Sequence, residues 1–165
     1  MKKVKNIGVL TFLLAAAWIL MNNSIKTGVI LTGAGLALLS AIILCSRCDI
    51  FSEWKITPKS LIYSVGYLFV FLFELLKSNL DVARRVVTPS LPINPGIVAV
   101  KTSLQSKIGR MILANSITLT PGTLTVDIKE DTLYIHWIDV ESTDIKSATK
   151  AIVSKFEKYL EVIYG

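Results

Sequence analysis

A chain of 165 residues that is 52% hydrophobic and only 18% charged, with a mean hydropathy of +0.58, is too apolar for an ordinary soluble globular domain. Its net charge of +6 is unevenly held: residues 1–93 carry ten Lys/Arg against Asp49, Glu53, Glu74 and Asp81, whereas residues 94–165 carry eight of each sign. The C-terminal part therefore has no net basic field for phosphates, which argues against a nucleic-acid partner, and the basic excess reads as membrane topology.

Lys2, Lys3 and Lys5 precede the first apolar run, residues 7–21. A secretory signal begins in the same way, but Asn22-Asn23-Ser24 is a poor cleavage site and a second apolar run follows at once, so a retained helix is expected. Fifteen residues at about 1.5 Å each reach about 22 Å, short of a hydrocarbon core of about 30 Å. The second run, residues 27–46, is long enough to span. Gly33, Ala37 and Ala41 recur along it every four residues, a stripe on which another helix can pack closely, and so a candidate face for subunit packing.

Cys45 and Cys48 close that run as Cys-Ser-Arg-Cys, the spacing of half a zinc or redox site. There is no second pair and the one histidine, His136, lies far along the chain, so ordinary thiols are expected, with no metal and no cofactor. The third run, residues 61–76, is rich in aromatics and holds one ionisable group, Glu74. A carboxylate in an apolar segment is a candidate for an ion or proton path. Lys77, one helical turn on, offers the alternative of a pair at the headgroup level.

The Lys/Arg of the N-terminus and of residues 47–59 put both on the cytoplasmic side, with only Lys26 between the first two runs. Three full crossings would then send the C-terminal part outside, so if that part is cytoplasmic, the short first run or the aromatic third one does not cross. Beyond the third run, Arg84 and Arg85 suit a membrane surface or a subunit contact. Pro89, Pro92 and Pro95 cannot continue a helix, so residues 88–96 read as a stiff linker between a membrane region, 1–87, and an α/β domain, 97–165.

In that domain the spacing predicts a strand at 96–102, then a helix capped by Ser106 and running to Leu119, with Ile108, Met111, Ile112 and Leu119 inward. Thr120-Pro121-Gly122 stops it. Thr123 to Ile128 alternates, with Leu124, Val126 and Ile128 on one face, and pairs through Lys129-Glu130-Asp131 with a strand at 132–139. One last helix starts near Thr143. The order is βαββα, an α+β domain with a three-stranded sheet behind two or three membrane helices. It contains no Gly-rich phosphate loop, no Gly-x-Ser-x-Gly and no carboxylate–histidine cluster, so no enzyme chemistry is expected.

The stretch from Ile112 to Ile128 (ILANSITLTPGTLTVDI), followed by Leu133 to Asp139 (LYIHWID), resembles the E-type subunit of the Mrp/Mnh-type multisubunit monovalent cation (Na+)/proton antiporters of bacteria, and the apolar runs and Pro-rich linker extend the resemblance over the whole chain. It implies an accessory component in the bacterial cell membrane with a cytoplasmic C-terminal domain. The implied partners are the large A and D types, which hold the antiporter-like modules, and the B, C, F and G types. Cations and protons would then pass mainly through partners, with Thr120, Pro121 and Gly122 fixing a turn that sets the domain against its neighbours. The competing expectation is a membrane-anchored module that recruits a soluble partner.

Overall fold

The computed structural model describes residues 2–45 and 57–165 and divides the chain into two compact units, Met1–Trp54 and Lys55–Gly165. In the first unit α1 (Lys2–Asn22) and α2 (Thr27–Cys45) form a helical hairpin. The helix of α1 runs back through the lysine-rich start, so it has 21 residues and a length of about 31 Å, enough to span, where the apolar run alone predicts a short helix. Gly33, Ala37, Ala41 and Cys45 are the buried residues of α2, on the side of α1. A Cβ on Gly33 would lie 2.3 Å from the Trp18 ring, and Trp18 Nε1 donates to the Val29 carbonyl at 3.1 Å. The partner of the small-residue stripe is thus a helix of the same chain. Ser46, Arg47, Cys48 and the rest of 46–56 lie outside the described residues.

The second unit opens with α3 (Pro58–Val87), 30 residues long. Thr57 and Ser60 make a reciprocal capping box and Pro58 supplies a preset φ in the first turn, so the start of the helix is fixed by local chemistry. The C-terminal elements follow: β1 (Gly96–Lys101), α4 (Lys107–Leu119), β2 (Thr123–Lys129), β3 (Thr132–Trp137), α5 (Ile145–Ile152) and α6 (Ser154–Tyr164). The sheet is antiparallel in the order β1-β3-β2. Val98, Val100, Leu133 and Ile135 face the helices and are buried together with Leu113, Ile117, Ile152, Phe156 and Leu160.

Three expectations shift. The buried face of α4 is Leu113, Ala114, Ser116 and Ile117, while Met111 and Leu119 are exposed, because the apolar residues of this helix are spread around it and packing selects one arc. The alternation of β2 is broken by a bulge between Thr125 and Asp127: Leu124 pairs with His136 on the open side of the sheet, Thr125 with Ile135 on the covered side, and Ile128 with Leu133 on the covered side. Leu124 and Ile128 therefore do not share a face. The last helix is two, α5 and α6, joined at Val153, which is fully buried. The chain turns there, so that α5 packs on β1 while α6 packs on α3 and α4.

Truncating Leu113 to Ala should cost the second unit about 2–5 kcal/mol, and Leu119→Ala within about 0.5 kcal/mol. Denaturation of the detergent-solubilised protein, followed by tryptophan fluorescence, measures both.

Candidate functional site

The residues of interest converge on a cleft of about 420 Å³ within the second unit, between the C-terminal half of α3, the α4–β2 turn, the end of β3, and α5 and α6. It is lined by Glu74, Lys77, Asp81 and Arg85 from α3, by Thr120, Pro121 and Gly122 from the turn, and by Asp139, Glu141 and Lys155 opposite. Carboxylates and cations are nearly balanced, so the charges can satisfy one another.

They largely do. Glu74 accepts from Lys155 Nζ at 2.6 Å, with its side chain only 15% exposed. Arg85 donates through Nε to Asp81 at 2.7 Å, and through Nη1 to Asp139 and to the Pro92 carbonyl, both at 2.7 Å. The hydrogen bonds to Asp81 and then to Asp139 raise the Arg85 pKa above its ordinary value, so the clamp is permanently cationic. Arg85 thereby ties the end of α3 to the linker and to the end of β3. Arg84, its neighbour, is exposed and makes no ion pair among the described residues.

The Thr-Pro-Gly turn is held by a dense local network. Thr120 is 7% exposed, its N–H reaches the Ser116 and Ile117 carbonyls, and its hydroxyl donates to the Ile117 carbonyl at 2.7 Å. Thr123 donates to the same carbonyl at 2.7 Å. Proline at 121 has no N–H to place, and Gly122 sits at φ +90, a region that disfavours any side chain. Its carbonyl accepts from the Ile138 N–H at 2.8 Å. A Cβ there would lie 3.0 Å from Ile138 Cγ2 and 3.6 Å from Val82 Cγ2 of α3. The turn is therefore bonded to the residue that follows β3 and lies close to α3.

Above the cleft, Tyr67 of α3 hydrogen-bonds Ser116 of α4, and its ring meets Phe156 edge-on at 6.3 Å. Sequence reasoning singles out Glu74, Arg85 and the turn, and considers Ser116 only as a nucleophile without a base; it does not single out Lys155, Asp139, Asp81 or Tyr67. Their partners lie 49 to 81 residues away, except for Asp81, which stands four residues before Arg85 and was within reach of helical spacing. Gly33, Ala37 and Ala41 belong to the other unit. Among the described residues no group of three or more His, Cys, Asp or Glu gathers to hold a metal ion.

Residues 11–163 match the model of a family described as Na+/H+ ion antiporter subunit. The chain is 36% identical over 157 residues to the E-type Na+/H+ antiporter subunit of Bacillus subtilis, covering 93% of this chain and 95% of that protein. It is 34% identical over 157 residues to the E1-type subunit of Staphylococcus haemolyticus, covering 88% and 93%. Among solved structures it is similar to a chain of the membrane-bound sulfane sulfur reductase, an archaeal respiratory membrane complex, with a TM-score of 0.85, 38% identity, and coverage of 96% of this chain and 99% of that one.

Because Gly122 combines a positive φ with a close neighbour, Gly122→Ala should destabilise the second unit by about 1–3 kcal/mol, whereas Pro121→Ala should cost less than about 1 kcal/mol. Comparative denaturation of the two variants checks this order.

Proposed function

The chain belongs to the Na+/H+ ion antiporter subunit family, and on that premise we propose that it is an accessory membrane component of a multisubunit monovalent cation/proton antiporter. Its role there is to support assembly and ion exchange, and through them pH and sodium homeostasis. The observation that carries this reading is the Glu74–Lys155 pair. The apolar helices α1 and α2 contain no acid at all, and the single carboxylate of the third apolar segment is already neutralised by a lysine of α6. A chain so equipped offers no free intramembrane carboxylate among its described residues, so cations and protons pass mainly through partner subunits of the A, B, C, D, F and G types.

The same reading gives each site residue a task. Gly33, Ala37 and Ala41 close the α1–α2 hairpin in the bilayer. Thr120, Pro121 and Gly122 fix the angle between the α4–β2 layer and α3, which sets the surface offered to neighbouring subunits. Arg84 faces the membrane surface, and Arg85 locks the linker. The N-terminal lysines favour a cytoplasmic N-terminus, and a C-terminal domain on that same side follows if the chain crosses twice. A second reading, favoured by the 38% identity to a chain of a respiratory complex, makes the chain part of a membrane-bound redox assembly of that kind.

Purification of the tagged full-length chain in mild detergent distinguishes these. Polytopic antiporter subunits should co-purify; redox subunits in their place would favour the second reading, and a solitary chain would overturn both. If Glu74 is structural, Glu74→Gln in the assembled complex should retain at least half of the cation-dependent ΔpH dissipation of everted vesicles. A loss of tenfold or more with the complex intact would return Glu74 to the ion path.

A further inference from the structure

By length and composition α3 qualifies as a third membrane span, with a mean hydropathy of 1.6 over its best window. Its neighbours forbid that role. The α/β domain is packed along nearly the whole helix: Tyr63 against Tyr159 with ring centroids 5.9 Å apart, Tyr67 against Phe156, Glu74 on Lys155, Val82 beneath Gly122, and Arg85 on Asp139. From Tyr63 to Arg85 is about 33 Å of helix, the full thickness of a hydrocarbon core. Were α3 to cross, the domain would be drawn into lipid with it. Its β1 and β2 edges, and exposed charges such as the Lys101–Asp131 pair, half exposed at 58% and 52%, would lose water. Each stranded backbone group costs several kcal/mol there, and no row of them is tolerated.

The opposite face of α3 has the reverse character. Ile62, Phe69, Phe73, Leu76 and Leu80 follow one another at helical spacing and are 65–73% exposed. At 3.6 residues per turn, Lys59, Lys77 and Arg84 fall together on one edge of that face. Lys77 and Arg84 form no ion pair among the described residues. An apolar face bordered by unpaired basic side chains fits hydrocarbon bordered by anionic headgroups, and a purely apolar partner helix would leave those charges unmet.

We propose that α3 does not cross the membrane but lies in the plane of its surface, with its apolar face in lipid, its basic edge on anionic headgroups and its other face roofed by the α/β domain. The chain then crosses twice, through α1 and α2. That the surface is the cytoplasmic one rests on the reading above; the flat orientation does not.

Nitroxides placed singly by Ile62→Cys, Phe69→Cys, Phe73→Cys and Leu80→Cys, in a Cys45→Ala/Cys48→Ser complex reconstituted with phosphatidylglycerol, test the orientation. Collision with oxygen and with a polar nickel chelate should report one shallow depth, about 5–10 Å, at all four positions. A profile deepest near Phe69 and Phe73 and shallow at both ends would mean a crossing, and shielding from both reagents would mean a protein partner; either overturns the proposal. Independently, Lys59→Cys and Lys146→Cys, which leave the packed face untouched, should react with an impermeant maleimide from the same side of the membrane. Labelling from opposite sides overturns the proposal. Labelling of both from outside intact cells keeps α3 flat and overturns only the cytoplasmic assignment.

Discussion

The seam between α3 and the α/β domain is the constraint on which the second unit depends. Three polar side chains that α3 turns inward find partners on different elements: Tyr67 on α4, Glu74 on α6, Arg85 at the end of β3 and on the linker, while Ser64 and Ser78 bond carbonyls of α3 itself. Apolar contacts run between these anchors, where Gly66 lets the Tyr159 ring approach to 3.0 Å of where a Cβ would stand, and Tyr67 covers Phe156. A partly exposed ion pair such as Glu74–Lys155 adds little by itself. Its value here is positional, since removing Lys155 would leave a carboxylate that is mostly shielded from water without a counter-charge.

This seam explains why the third helix is long. A small domain with a three-stranded sheet covered on one side has a thin core. Phe156, Leu160 and Ile163 of α6 are nearly or fully buried, and α3 is the element most extensively packed on that helix. The α4–β2 turn completes the arrangement from the other direction. With Gly122 bonded to Ile138 and leaving no room for a side chain beside Val82, the turn sets the hairpin close to α3, while Arg85 draws in the linker from the side. The linker prolines then have little freedom left to lose.

Elements whose cause is local were legible in the sequence. The capping residue Ser106, the Thr-Pro-Gly stop and the turn at Lys129-Glu130-Asp131 each act within a few residues, and α4 and the hairpin stand where those signals put them. What escaped depends on contacts distant in sequence. The inward arc of α4 could not be read because apolar residues surround that helix, and only the sheet beneath it selects Leu113 and Ile117. The bulge in β2 leaves Leu124 and Ile128 in the same alternating pattern while placing them on opposite faces. The break at Val153 is invisible because the apolar spacing continues through it. In the cleft, Glu74 and Arg85 drew notice as charges in unusual places, but their partners Lys155 and Asp139 look like ordinary surface residues until the chain is folded.

Glu74 shows how far an average over a window can mislead. Hydropathy sums α3 as if it had one environment, and on that sum a lone carboxylate stands out as a functional group in lipid. Resolved at 3.6 residues per turn, the same segment has two environments. Ser60, Tyr63, Ser64, Tyr67, Glu74, Ser78 and Arg85 occupy one side, and large aliphatic and aromatic residues the other. The carboxylate belongs to the first side, where α6 supplies a lysine, and not to the second. A helix that carries both faces along its full length is suited to an interface, with protein on one side and a different medium on the other. The capacity to move ions has to come from segments that surround a carboxylate without neutralising it, and among the described residues this chain contains none.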